Sequence, residues 1–188
     1  MEGKNGVCRI EVSKVDWQVL QPWQRTSQKK STGSGFVIDG ERLITNAHVV
    51  KSAVDIRVRP HGSTRRYPAQ VLVYAPDVDL ALLEIKGEEE KADFFGSFSK
   101  NGHESTSDGT TNKRTKQSMA LEFAEKLPSL QESVHVVGFP TGGKTICVTE
   151  GVVSRIDLAT VSGFNNMMVL QVDSAINAGN SGGPAFVR

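Results

Sequence analysis

Short runs of β-branched and aromatic residues recur along most of the chain, each about one strand long and closed by glycine, proline or Asp-Gly, with no helical segments alternating between them. No other sequence feature constrains the fold as much. Sheets that have no helices to cover their faces must close on themselves or pack on another sheet, so the chain is predicted to be all-β. The first set of strands falls at residues 7–20, 33–38, 42–46, 54–59, 69–74 and 79–85. Residues 33–38 enter through glycines and leave through Asp39-Gly40, which makes them and 42–46 a hairpin. A second set falls at 134–139, 144–149, 152–156 and 168–172. Two sets predict two barrel halves, residues 1–86 and 118–188. Between them, residues 87–117 hold an acidic run (Glu88, Glu89, Glu90), Phe94, Phe95 and a tract rich in Ser, Thr, Gly, Asn and Lys, which reads as a polar, flexible insertion with nothing periodic to bury. Residues 119–127 predict a short helix ahead of Pro128.

At 188 residues the chain suffices for one large domain or two small ones sharing an interface. Its 22 basic and 21 acidic residues leave a net charge of +1, which argues against electrostatic capture of nucleic acid or of an anionic membrane. No apolar run approaches the roughly 20 residues of a membrane span, and residues 1–6 have the character of neither a secretory signal nor a transit peptide. The expectation is therefore an intracellular site, with the chain either made where it works or lacking a targeting segment in this version. Cys8 and Cys147 have no metal-ligand spacing; they read as buried or half-buried free thiols of a reducing compartment, with a pairing between them left open. No metal or cofactor is implied. Trp17 and Trp23 flank a polar bend and read as packing at a domain edge, or as an edge that meets another subunit.

The chemistry centres on Asn177-Ala178-Gly179-Asn180-Ser181-Gly182-Gly183-Pro184. So many glycines exclude a helix or strand interior and predict a tight turn, which exposes one hydroxyl and gathers successive backbone N–H groups around it. A serine hydroxyl is a weak nucleophile and needs a histidine base oriented by a carboxylate. His48 follows the first hairpin in a short helical turn that Thr45 or Asn46 would cap, at a barrel edge. Asp79 opens a nearly wholly apolar strand, where a carboxylate needs a donor, and the His48 ring is one candidate. Asp77, just after Pro76, is a turn residue. A competing motif, Gly138-Phe139-Pro140-Thr141-Gly142-Gly143-Lys144-Thr145, fits the phosphate-loop pattern, with Asp173 as a would-be magnesium carboxylate. That loop requires a helix directly after its lysine, whereas Ile146-Cys147-Val148-Thr149 favours a strand, and nucleotide binding is the remote alternative.

His48, Asp79 and Ser181 stand in the order found in chymotrypsin-type proteases, whose site lies between two barrels. In that geometry His48 is the base, Asp79 its orienting carboxylate, Ser181 the nucleophile, and the N–H groups of Gly179 and Ser181 the oxyanion hole. Thr45-Asn46-Ala47-His48-Val49-Val50, Asp79-Leu80-Ala81-Leu82-Leu83 and residues 175–184 together resemble the three catalytic signatures of the Do-like (HtrA/Deg) serine proteases, plant type. Pro22-Trp23-Gln24, Gly33-Ser34-Gly35-Phe36-Val37-Ile38, Val136-Val137-Gly138-Phe139-Pro140 and Gly151-Val152-Val153-Ser154-Arg155 extend the resemblance. It implies a chymotrypsin-like double β-barrel and ATP-independent endoproteolysis of unfolded or damaged polypeptides by homo- or hetero-trimers in mitochondria or chloroplasts. It also implies a regulatory loop over residues 157–166. Against that family the chain is expected to carry a second barrel incomplete at its C-terminus and no PDZ domain, and Ala178 stands where proline is common. The alternative function is a catalytically impaired remnant that binds unfolded chains or partners complete relatives.

Overall fold

The computed structural model describes residues 5–16, 20–21, 23–24, 27–97, 119–161 and 164–187. Six strands build the first half: β1 (Val7–Lys14), β2 (Lys29–Ile38), β3 (Arg42–Thr45), β4 (Ala53–Pro60), β5 (Tyr67–Ala75) and β6 (Leu80–Ile85). They close into a barrel in the order β1-β2-β3-β6-β5-β4, all neighbours antiparallel. Strand alternation decides what fills it. Cys8, Ile10 and Val12 of β1 point inward with Ile56 and Val58 of β4 and Leu43, Leu83 and Ile85, all nearly inaccessible, while Arg9, Glu11 and Ser13 face out.

One mouth of this barrel is stopped by α2 (Glu88–Ser97), which corrects the reading of 87–117 as wholly flexible. Three glutamates in its first turn favour the positive end of the helix dipole, and Phe94 is fully buried, edge-on to Tyr67 at 5.1 Å between centroids. Residues 98–117 lie outside the described residues. The four-residue α1 (Ala47–Val50) follows β3.

The second half is an open four-stranded sheet in the order β10-β7-β8-β9, made of β7 (Ser133–Gly138), β8 (Cys147–Val161), β9 (Phe164–Asp173) and β10 (Ala185–Val187). The two strands expected at 144–149 and 152–156 are one long strand, β8, because Gly151 lies so close to Asp173 O of β9 that a Cβ would fall 2.0 Å from it. The expected regulatory loop at 157–166 is largely paired strand, with Asp157 opposite Val169 and Leu158 opposite Met168; residues 162–163 lie outside the described residues.

The helix expected at 119–127 does not form. A nine-residue helix is marginal by itself, and the segment gains more as a strap over β2: Leu121 N–H donates to Val37 O, its side chain packs with Val7, Val137 and Phe139, and Phe123 meets Phe36 edge-on. That cluster joins the two halves. Cys8 is buried and Cys147 half-buried, both as free thiols. Trp23 is 77% exposed, not packed at an edge, and Trp17 lies outside the described residues. Among the described residues no helix is long and apolar enough to cross a membrane.

Candidate active site

A 3₁₀ turn (Pro76–Val78) ends on Asp79, whose N–H donates to Pro76 O and whose backbone is left-handed at φ +53°. Aspartate tolerates that conformation better than most residues. The conformation swings both the carbonyl and the carboxylate of Asp79 toward the start of α1, where four bonds meet it. Ala47 N–H (3.1 Å) and Asn46 Nδ2 (2.8 Å) donate to its carbonyl, and the His48 N–H (2.9 Å) to Oδ1. The fourth is His48 Nδ1 to Oδ2, at 2.7 Å. Asn46 is the N-cap residue of α1, as expected, but its side chain serves Asp79 instead of capping. The His48 side chain is 55% exposed and that of Asp79 25%, so the pair stands at the barrel rim with its imidazole open to solvent.

Ser181 sits in the second of two consecutive turns that share Asn180, closed by Asn180 N–H to Asn177 O and by Gly183 N–H to Asn180 O. Gly182 has φ +83°, and a Cβ there would lie 2.3 Å from both Ser34 O and Thr45 Oγ1, so only glycine lets the loop press against β2 and the end of β3. Ala178 O accepts from Thr141 N–H at 2.6 Å. Because N–H and C=O point opposite ways across a trans peptide, the N–H of Gly179 faces away from Thr141. Neither that N–H nor the N–H of Ser181 has an acceptor among the described residues. The structure therefore brings His48 and Asp79 into direct contact and seats the Ser181 loop on the segment that leads to His48. It forms no His48–Ser181 hydrogen bond among the described residues.

Three residues beyond the sequence-predicted set hold this arrangement together. Ser34, wholly buried in β2, donates to Gly179 O (2.7 Å) and accepts from Phe139 N–H (2.8 Å), while its own N–H donates to Ser181 O (2.8 Å). Buried Thr45 donates to Ser34 O at 2.7 Å, and Asn46 grips Asp79 as described. A serine between two glycines, directly ahead of the apolar run Phe36-Val37-Ile38, was the available signal for Ser34. The competing phosphate-loop reading fails on local structure: after Lys144 the chain passes into β8, with no helix to face a phosphate. The described residues contain no cluster of metal-ligating side chains.

The model of the trypsin-like peptidase domain family matches residues 33–188. Among curated relatives, "Protease Do-like 4, mitochondrial" of Arabidopsis thaliana is 42% identical over 90% of this chain, and "Protease Do-like 2, chloroplastic" of the same plant is 43% identical over 97%. The chain spans 28% and 26% of their respective lengths. Two solved structures share the fold. The active form of the Rv3671c protease from M. tuberculosis has a TM-score of 0.68 at 23% identity, over 97% of this chain and 65% of that one. The HtrA-type protease AlgW with a decapeptide has a TM-score of 0.62 at 22% identity, over 98% and 53%. By this family match the chain belongs to the trypsin-like peptidases, and the curated relatives it is similar to are Do-like proteases.

Proposed function

We propose that the chain is a serine endopeptidase that cleaves peptide bonds of unfolded or damaged proteins without ATP, as the protease domain of a Do-like enzyme. The observation that carries the proposal is the double grip of Asp79 on His48, through the backbone N–H and through Nδ1 at 2.7 Å. An ionised carboxylate only accepts, so the ring hydrogen sits on Nδ1 and Nε2 keeps its lone pair for a proton from Ser181. Contraction of the Ser181–His48 gap on substrate binding is ordinary for such sites.

In the reaction Ser181 Oγ attacks the scissile carbonyl carbon and His48 takes the hydroxyl proton. Asp79 stabilises the resulting imidazolium. The two N–H groups left without acceptors, those of Gly179 and Ser181, receive the oxyanion, and a donor in such a position is worth about 3 kcal/mol of transition-state stabilisation. His48 then passes the proton to the leaving amine, and water repeats the sequence to release the acyl group. The names of the relatives support a mitochondrial or chloroplast location, and the family resemblance supports a trimer.

The test is a fluorophosphonate probe on purified protein. Labelling is expected at Ser181, with Ser181→Ala and His48→Ala abolishing it and casein hydrolysis following the same pattern. Absence of labelling in the intact chain, together with retained casein binding, would replace the enzyme by the non-catalytic binding reading.

A further inference from the structure

Outward-facing residues on β1 and β4 place two arginines side by side. Arg9 and Arg59 are directly opposed in the antiparallel register, an arrangement that destabilises a sheet unless something compensates for the like charges. Arg66 lies close by, and Glu11 is shared between Arg9 (3.4 Å) and Arg66 (2.7 Å), so the acidic partners on this face do not neutralise the arginines. Burial first, and then Arg9 and Arg66 working against Glu11, push the Arg59 guanidinium below its ordinary range. The compensation comes from the other half of the molecule. Arg9 Nη1 donates to Gly143 O, and Arg59 Nη2 donates to Lys144 O at 2.8 Å. The forked guanidinium suits this role, since each arginine can reach a carbonyl while its stem lies along the sheet.

The loop they hold, residues 139–145, is the floor of the oxyanion turn. Its Pro140–Gly143 turn is closed by Gly143 N–H to Pro140 O (3.1 Å), and its Thr141 N–H takes Ala178 O at 2.6 Å. Gly179 lies so close to the same loop that a Cβ would fall 2.5 Å from Phe139 O and 2.7 Å from Thr141 N. The orientation of the 178–179 peptide, and hence the direction of the Gly179 N–H, therefore depends on where Thr141 stands.

We infer that Arg9 and Arg59 are positioning residues for the oxyanion hole: from the outer face of the first barrel they tether the 139–145 loop through the Gly143 and Lys144 carbonyls, and Thr141 passes that constraint to the Gly179 peptide. This rests on the proposed function for its catalytic consequence, but the tether itself is independent of it. The arginines touch no substrate. They act by keeping one amide from turning over.

The experiment compares the wild-type chain with Arg9→Met/Arg59→Met, with Arg59→Gln, which is too short to span the gap and keeps a measurement available if the double variant does not fold, and with Arg57→Met. Arg57 lies on the same face but pairs with Asp55, and so controls for loss of surface charge. Amide exchange at Thr141 is expected to speed up at least about tenfold in the Arg9 and Arg59 variants and to stay unchanged in Arg57→Met. Fluorophosphonate labelling and kcat are expected to fall roughly tenfold or more, toward the loss seen when an oxyanion donor is removed, with KM held within about twofold and the pH profile of His48 unmoved. Faster Thr141 exchange with unchanged labelling overturns the positioning role, and unchanged exchange overturns the tether. A wild-type chain that no probe labels overturns the proposed function and the catalytic half of this inference with it, while Thr141 exchange still decides the structural half.

Discussion

Ser34→Ala isolates the contact on which the Ser181 loop depends, and its cost follows from the bonds that it breaks. The Ser34 hydroxyl is completely buried and bridges a donor and an acceptor, Phe139 N–H at 2.8 Å and Gly179 O at 2.7 Å. Alanine keeps the backbone and nearly the volume, so the cavity contribution is small, but both backbone groups are left without their partner. A buried orphan costs about 1–3 kcal/mol, less for a carbonyl than for an amide, and the pair sums to about 2–4 kcal/mol. Water is a poor substitute, because the vacated space is one oxygen wide and offers two polar neighbours, the minimum for a buried water. For a chain of this size the loss corresponds to a melting temperature lower by roughly 5–15 °C.

Urea unfolding followed by far-ultraviolet circular dichroism is the suitable assay, since Trp23 is 77% exposed and reports weakly on burial. The midpoint is expected to move with an unchanged slope, the sign of lost native-state stability with no change in the surface exposed on unfolding. Ser154→Ala serves as the control: that hydroxyl donates to Gln171 O at 3.0 Å from an exposed position, and its loss is expected to cost under about 0.5 kcal/mol. If Ser34→Ala costs no more than Ser154→Ala, the hydroxyl does not bind the two halves together, and the account of how β2 supports the Ser181 loop is wrong.

Three further substitutions, the first with a control, test separate parts of the structure. Gly182→Ala combines the left-handed penalty of about 1–2 kcal/mol with a Cβ 2.3 Å from Ser34 O, and should abolish probe labelling; Gly62→Ala, at φ +75° with nothing within 4 Å, should cost only the backbone penalty and leave labelling intact. Phe94→Ala should cost about 3–5 kcal/mol and release α2, read as loss of amide protection over Glu88–Ser97 ahead of the barrel strands. Burial pushes the Cys8 thiol up from its ordinary 9.0, so the unfolded chain sheds that proton above about pH 9 while the native chain keeps it. Stability is complete below that pH and falls above it by about 1.4 kcal/mol per pH unit; Cys8→Ala should remove this contribution from the slope, and an unchanged slope would contradict it.

What the sequence disclosed and what it hid divide along the distance over which each residue acts. His48 and Asp79 were legible because each is marked locally: a histidine straight after a hairpin, and a carboxylate at the mouth of an apolar strand that must find a donor, which the structure supplies at 2.7 Å. The strands of the barrel were legible for the same reason, since alternation along β1 is written in consecutive residues. Phe94 was hidden because one buried ring in a strongly charged run leaves the average composition polar, although that ring is what docks α2. The segment at 119–127 misled in the opposite sense: Ala, Leu, Glu and Lys favour a helix, but the bond from Leu121 to Val37 and burial against Val7 outweigh the propensity of so short a stretch. Ser34 acts across 105 and 145 residues, and Arg59 across 85, distances at which the sequence carries no local trace of the partner. The residues proposed to do the chemistry thus declare themselves by type and spacing. Those that hold the backbone amides in place become visible only when the two halves are brought together, because their partners are carbonyls and amides, which every residue has and no sequence distinguishes.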